Sequence, residues 1–491
     1  MDPDIAELHD AVDGLLADVL REGEAQAQAW KGHIDRACFT DSALNLAHYL
    51  ALRHRDLRPL QRPLTALGLS SLGRLESRVV PTLAAVRRAL LALLSRPTEP
   101  EASIDSFFAG EARLKANTLE LFGAGGTSSP VALLVTCPTE AAEDPAFMLA
   151  LAERGVEAVR INCAHDGAEL WQRMIGHLRA AEAATGRRMK VFMDLAGPKI
   201  RTGEVRQPSH DESIYRGEVV VIVRSGDLDT IEATEPHFAV ECTLPDALKS
   251  AKIGDRVYID DGKLGARIER VETWGVLARV ASVAEKGLKL KPEKGLNFPD
   301  CELEIEALTE KDRADLAFVA AHADGVEFSF VQSAADVATL QDALAALRPD
   351  DWRDMALILK IETARAVRHL PEIIVRAAGR QPTAIMIARG DLAVEIGFGR
   401  TAEMQEEMLW LGEASDVPVI WATQVLEHLV SKGTPSRGEM TDAAMAARAE
   451  CVMLNKGPYL FEAIDQLRAL LARMDTNQHK KTPLLRQLKS W

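Results

Sequence analysis

Eight short apolar runs, each followed by a stretch with helical spacing, recur along this chain at residues 131–135, 158–161, 190–193, 325–328, 356–359, 384–388, 417–421 and 451–454. Runs that are largely apolar, rather than alternating, suit parallel strands buried on both faces. Eight strand and helix units in succession predict an α/β chain built on a closed (β/α)8 TIM barrel. Between the third and fourth runs the pattern changes to alternation with turn signals, as in Glu218-Val-Val-Val-Ile-Val-Arg224 and Gly275-Val-Leu-Ala-Arg-Val280. This stretch predicts a small all-β lid domain inserted in the barrel. The expected organisation is a helical module and linker over 1–127, a first barrel part over 128–203, the lid over 204–296, and a second barrel part with a C-terminal tail over 297–491. Without the lid, residues 128–203 and 297–475 come close to the ~250 residues typical of the barrel.

Residues 1–127 read as amphipathic helices broken by Pro59, Pro63, Gly68 and Gly73, and Gly123-Ala-Gly-Gly-Thr-Ser-Ser129 reads as a linker. The arginines of this module, Arg53, Arg55, Arg58, Arg62, Arg74, Arg78, Arg87 and Arg88, fit a solvated face better than a nucleic-acid surface. A formal net charge of −15 points the same way, since nucleic acids and anionic membranes reward clustered positive charge. No nucleic-acid or membrane partner is therefore expected. The six cysteines are scattered, without CxxC spacing, which argues against a disulfide scaffold or a structural zinc site. With an acidic N-terminus lacking an apolar core segment, the expected location is the cytoplasm.

Barrel sites lie at the C-terminal ends of strands, so polar groups closing each run are the functional candidates. They are Arg160 and Asn162 at the end of the second run with His165 beyond it, Asp194 and Arg201 after the third, Lys360 and Glu362 after the fifth, Arg389, Gly390 and Asp391 after the sixth, and Thr423 after the seventh. Side chains alternate along a strand, so Lys360 and Glu362 point the same way while Ile361 turns into packing. Glu362 and Asp391, about one barrel unit apart, fall on neighbouring strands and form a hard oxygen pair suited to magnesium or manganese. Lys360 beside them is placed to stabilise a developing anion, and Gly390 lets the backbone approach a substrate carboxylate. Taken singly, each of these residues also fits an ordinary solvated or ion-paired strand end. Asp261-Gly262 reads first as a hairpin turn, with a nucleotide contact from Asp260 or Asp261 as the alternative. Cys163 and Cys451 read as core thiols.

Several separated segments resemble the pyruvate kinase family. Arg160-Ile-Asn-Cys-Ala-His165 is similar to its R-x-N-F-S-H, and Asp194-Leu-Ala-Gly-Pro-Lys-Ile-Arg-Thr-Gly203 to its D-T-K-G-P-E-I-R-T-G. Gly295-Leu-Asn-Phe-Pro299, Leu308-Thr-Glu-Lys-Asp312, Lys360-Ile-Glu362, Ala388-Arg-Gly-Asp-Leu392, Ala422-Thr-Gln-Val-Leu-Glu427 and Val452-Met-Leu454 continue the order over residues 130–475. The resemblance implies a phosphotransferase that moves phosphate from phosphoenolpyruvate to ADP or another nucleoside diphosphate, with magnesium or manganese on Glu362 and Asp391. It implies Lys360, Arg160 and Thr423 as catalytic residues, and Gly390, Asp391 and Thr423 against the substrate. Asn162, His165 and Arg201 would face the nucleotide, and a homo-oligomer, a dimer, is expected because Ser436-Arg437-Gly-Glu439 resembles an interface segment.

The departures are informative. The family's monovalent-cation site uses Asn162 and Asp194 with a serine that is Ala164 here, while its Thr-Lys is Leu195-Ala196 and its common glutamate is Lys199. Lys199 is expected to replace the monovalent ion, making potassium unnecessary. The family's S-G-E-T-A segment appears as Asn455-Lys456-Gly457-Pro458, and no counterpart of its C-terminal regulatory domain follows residue 475. Two other readings fit these residues: a metal-dependent lyase acting through a pyruvate enolate, and a catalytically weak pseudoenzyme that acts as a binding module.

Overall fold

The structure is a computed structural model, and it describes residues 4–98, 100, 102–123, 131–208, 212–230, 238–301 and 305–484. Of the expected linker only Gly123 falls among them, so the boundary at 127/128 lies outside the described residues. The eight runs form a closed parallel barrel. Its first three strands are β1 (Ala132–Thr136), β2 (Ala158–Asn162) and β3 (Lys190–Asp194). After the lid strands β4 (Thr202–Arg206), β5 (Val219–Arg224), β6 (Phe238–Cys242), β7 (Arg256–Ile259), β8 (Leu264–Glu272), β9 (Gly275–Ser282) and β10 (Leu296–Asn297), it resumes with β11 (Gly325–Phe328). It then closes through β12 (Ala356–Ile361), β13 (Thr383–Ala388), β14 (Val419–Ala422) and β15 (Cys451–Leu454), the last of which pairs with β1. Strand β12 continues through Ile361, two residues beyond its apolar run, so Lys360 lies inside the strand.

Alternation sorts the side chains into two cores. Leu133, Val135, Val191, Leu357 and Ile385 face outward into the layer beneath the helices, while Leu134, Phe192, Ile358 and Met386 fill the interior. The lower interior is dry. Higher up, the inward positions turn polar, and the site described below is built there.

The lid is a seven-stranded sheet of order β10-β7-β8-β9-β5-β6-β4 with its own core, including Val220, Ile222, Val240, Val257 and Ile268. Its two connections to the barrel pair with each other, the Leu296 amide donating to the Ile200 carbonyl at 2.8 Å and the Thr202 amide to the Lys294 carbonyl at 2.7 Å. The turn joining β7 to β8 places Asp260, Asp261 and Gly262 all at positive φ, which explains the Asp-Gly choice.

The N-terminal helices are α1 (Ile5–Trp30), α2 (Thr40–Arg53), α3 (Arg58–Ala66), α4 (Val79–Leu93), α5 (Ile104–Phe107) and α6 (Ala109–Phe122). Asp4 caps α1 by accepting from the amides of Ala6 and Glu7. Helix α6 stops at Gly123, where φ is +77°, and inserts Leu121 and Phe122 into the barrel's interior core. The Phe122 ring meets that of Phe192 edge to face, with centroids 5.9 Å apart. The module thus seals the end of the barrel opposite the C-terminal ends of the strands. A polar contact fixes it from outside. Buried Asp416, after the helix Phe398–Ala414, accepts from Ser42 at 2.7 Å and Arg113 at 2.6 Å, while its carbonyl takes the Asn117 amide at 2.6 Å. Among the described residues no helix is long and apolar enough to cross a membrane.

Candidate active site

The polar layer at the C-terminal end of the barrel is set by period 2 on β2, β3, β11 and β12. Arg160, Asp194, Glu327 and Lys360 all point inward, one step above the dry core. The Asp194 carboxylate is the hub. It accepts from Arg160 Nε at 2.9 Å, from Arg160 Nη2 at short range, from Lys360 Nζ at 3.1 Å to each oxygen, and from Ser329 Oγ at 2.9 Å. Arg160 also donates to Thr136 at 3.1 Å, and Lys360 Nζ lies 2.6 Å from Ser329 Oγ and 3.3 Å from the Glu362 carboxylate.

These groups are nearly excluded from water, with Asp194 at 2% and Lys360 at 9% exposure. Burial alone would neutralise them, and their mutual attraction prevents it. For Asp194 burial pushes the carboxyl up, but Lys360 and Arg160 outweigh it and hold the group below its ordinary range. For Lys360 burial pulls down, and Asp194 and Glu362 more than restore the charged form. Glu362 is pushed up, by burial first and then by the charge of Asp391, against the pull of Lys360. Glu362 and Asp391 therefore feel each other, a repulsion that a divalent cation between them would relieve.

Three separated sequence motifs meet here through backbone and capping bonds. Thr309 and Asp312 form a capping box at the start of the helix Glu310–His322, and Asp312 Oδ1 also accepts the Gly197 amide at 3.2 Å. Gly197 stands at φ +66°, and a Cβ there would lie 2.9 Å from both Phe330 and Ser329, so only glycine fits. Lys311 Nζ donates to the Cys163 carbonyl at 2.7 Å, tying the same helix to the loop after β2. Phe330, itself at φ +55°, turns its amide to Glu362 at 2.7 Å and fixes that carboxylate.

On the β13 side, the Gly390 amide donates to Thr423 Oγ at 2.9 Å. Thr423 has φ +62° and Gln424 +55°, left-handed values that cost energy, most of all for the β-branched threonine, and mark a constrained turn. Arg389 holds this turn by donating to the carbonyls of Ala422 at 2.9 Å and Thr423 at 2.6 Å while pairing with Asp442. Lys199, on the connection leading into the lid, sits 2.7 Å from Asp391 and 3.7 Å from Asp261 at the lid turn.

The structure thus brings Lys360, Arg160, Asp194 and Glu362 into direct contact, joins Gly390 to Thr423, and links Asp391 to the lid through Lys199. It does not bring Lys199 to Asp194 or Asn162: the ammonium lies with Asp391, and Asn162 Oδ1 instead accepts the Ala164 amide at 3.0 Å. His165 is exposed on the loop after β2, and Arg201 stands on the lid connection, donating to the Glu293 carbonyl at 3.1 Å. Among the described residues no three of His, Cys, Asp and Glu cluster as metal ligands. Two carboxylates alone fit magnesium, which keeps water and substrate oxygens in its remaining positions, better than a metal needing a full protein cage.

Sequence reasoning overlooked Glu327 and Ser329. Glu327 is fully buried, its carboxylate 3.2 Å from Arg160 Nε, with neither oxygen in a hydrogen bond. Burial, with the charge of Asp194 added, pushes it up to about 8. The signal was an acid at the inward position of the run Gly325–Phe328. Cys163 and Cys451 are buried, and burial pushes both thiols up, as core residues.

The family model described as pyruvate kinase, barrel domain, matches residues 132–464. Pyruvate kinase 2 of Trypanosoma brucei brucei is 30% identical over 336 residues, covering 67% of this chain and 64% of the relative. Pyruvate kinase of Corynebacterium efficiens is 32% identical over 312 residues, covering 63% and 61%, and that of Mycobacterium intracellulare 31% identical over 345 residues, covering 69% of each. The chain therefore spans less than two thirds of the length of the trypanosomal and corynebacterial relatives. With the closed barrel, the inserted lid and the matched motifs on one mouth, the chain belongs to the pyruvate kinase family.

Proposed function

We propose that this protein is a pyruvate-kinase-type phosphotransferase that moves the phosphoryl group of phosphoenolpyruvate to a nucleoside diphosphate, giving pyruvate and the triphosphate. The observation that carries the reading is the Lys360 ammonium, held charged in a nearly dry layer by Asp194, Ser329 and Glu362 and aimed at the mouth shared with Asp391. Phosphoryl transfer asks for little covalent chemistry and much compensation of charge, and preorganised cations in a water-poor site are worth most there. Glu362 and Asp391 are the residues that would hold a magnesium or manganese ion, which would supply positive charge to offset that of the phosphoryl group.

The remaining work falls to the chain's own groups. Arg160 is fixed in orientation by Asp194 and Thr136, which leaves N–H groups to contact the phosphoryl oxygens. Lys360 faces the same oxygens and the enolate left when the phosphate departs. Thr423, bonded to the Gly390 amide, stands where the enolate carbon would gain its proton, and Gly390 gives the substrate carboxylate room. The lid, reaching the barrel through Lys199 and Asp261, would close over the nucleotide beside Asn162, His165 and Arg201 and exclude water that would otherwise hydrolyse it.

Potassium independence belongs to the same proposal. Asp194 is already neutralised by Arg160 and Lys360, and Lys199 adds a fixed positive charge at Asp391. The other expectations, a cytoplasmic homodimer acting on these small molecules, remain part of the proposal. The test is purified protein with phosphoenolpyruvate, magnesium and a panel of nucleoside diphosphates, with and without potassium, following pyruvate release. Diphosphate-dependent pyruvate formation that potassium leaves within about twofold is expected; no pyruvate under any condition defeats the assignment, and a strong potassium requirement defeats the role of Lys199.

A further inference from the structure

One of the two carboxylates assigned to the divalent cation already has a cation of its own. Lys199 Nζ lies 2.7 Å from Asp391 Oδ1, and the two side chains are only 24% and 20% exposed. An ion pair shielded in this way is stronger than one on an open surface, where water screens it. The lysine comes from the outgoing lid connection, and its stem runs past the return connection at Gly295, where a Cβ would stand 3.3 Å from Lys199 Cε. Its charge also reaches the lid, because Asp261 of the turn between β7 and β8 is 3.7 Å away.

The helix that carries Asp391, Arg389–Ile396, takes two further contacts from the lid. Gly262 of the same turn lies against Val394, which is 3.5 Å from the position a Cβ would take. Asn297 of β10 donates to Glu395 at 3.2 Å. Lys199 therefore adds an ion pair to a seam where the lid already rests on this helix, and the end of that ion pair is a carboxylate the divalent cation needs.

A divalent cation on Glu362 and Asp391 sets two positive charges beside an ammonium that already neutralises one of those carboxylates, and like charges a few ångströms apart repel. We infer that Lys199 is an internal competitor for the divalent cation: its ammonium occupies Asp391 in the empty site, leaves that carboxylate when the cation binds, and so loosens the lid from the helix Arg389–Ile396. The inference rests on the metal pair proposed above and on no step of the reaction. The released ammonium keeps Asp261 as a partner and stays at the mouth, so its positive charge is not lost there. Linkage makes the effect reciprocal: the affinity that Lys199 costs the cation is the hold that the cation takes from the lid.

Titration of the metal-free full-length protein with manganese, with free ion measured by electron paramagnetic resonance and no substrate present, tests the competition without any turnover. Lys199→Met, which keeps the stem and removes the charge, should bind manganese about tenfold more tightly than wild type, and Glu362→Gln should bind it about tenfold more weakly. Hydrogen exchange reads the other half. Manganese should speed exchange in the lid turn 260–263 by about threefold or more in the wild type and leave it unchanged in Lys199→Met, where the turn is already released. The inference is overturned if Lys199→Met binds manganese no more tightly than wild type, or if manganese leaves the wild-type turn as protected as before. A loss with Glu362→Gln and no gain with Lys199→Met defeats the competition alone, whereas manganese binding that Glu362→Gln leaves unchanged defeats the metal pair and the inference with it.

Discussion

Phe192 and Asp194 stand two residues apart on β3 and point into the same barrel, yet they meet opposite surroundings. Phe192 packs on Phe122 in an interior with no polar demand, whereas Asp194 takes hydrogen bonds from Arg160, Lys360 and Ser329 with almost no water. One end of the barrel is closed by the hydrophobic effect, with Leu121 and Phe122 of α6 supplying apolar area. The other is held by charge pairs whose burial costs several kcal/mol per ion before attraction offsets it. Positive φ at Phe330, Thr423 and Gln424 adds backbone cost at that end. The contrast teaches how the two ends differ: closure of the interior rests on apolar area, with Asp416 holding the module from outside, whereas the mouth gathers charged groups that packing by itself would not select.

The sharpest way to break this contrast is Lys360→Met. Turnover should fall by about a thousandfold or more, because the ammonium acts on developing charge. Folding should weaken as well, by about 3 kcal/mol, since Asp194 and Glu362 lose a buried partner. Steady-state assays and thermal melts separate the two effects; an unchanged rate would remove Lys360 from the chemistry. At the opposite end, Phe122→Ala should lower stability by about 3–5 kcal/mol through the cavity it leaves. Denaturant melts check that value, and KM for phosphoenolpyruvate should stay within about twofold. A large rise in KM with unchanged stability would show that the two ends are coupled.

The smallest effect concerns Glu327. Its carboxyl is pushed up to about 8, from an ordinary value of 4.5, chiefly by burial and then by Asp194. Between those values the folded protein binds more protons than the unfolded chain, so this group's contribution is complete below the ordinary value and is lost as pH rises through about 8. Wild-type melting temperature should therefore decline from pH 6 toward pH 9, and Glu327→Gln should flatten that slope. An equal slope in the variant would show that Glu327 is not the group responsible.

Much of this was legible in the chain. The eight apolar runs became the eight barrel strands, because burial on both faces leaves no room for polar alternation, and Lys360, Glu362 and Asp391 followed from where those runs stop. The rest was hidden by long sequence separation. Nothing in α6 names Phe192 as the partner of Phe122, since an apolar helix face is equally suited to any dry surface. The Lys199–Asp391 pair joins residues 192 apart, so the side of the mouth that Lys199 serves was set by the path of the lid connection. Glu327 was masked because it lies inside an apolar run rather than past its end, and Ser329, directly after that run, carries no charge to mark it. Asp416 was equally silent, and only the docked module shows that burial, opposed by Arg113, pushes it up to about 6.

The central claim is that the charged mouth transfers phosphate while the apolar end only closes the barrel. It is tested most directly by phosphorus NMR of one reaction mixture containing phosphoenolpyruvate, ADP and magnesium, run with wild type, Lys360→Met and Phe122→Ala below their melting temperatures. Growth of the triphosphate resonances as the phosphoenolpyruvate signal decays, with wild type and Phe122→Ala but not with Lys360→Met, is the predicted result. Loss of phosphoenolpyruvate to free phosphate alone, or transfer that survives Lys360→Met at the wild-type rate, would contradict it.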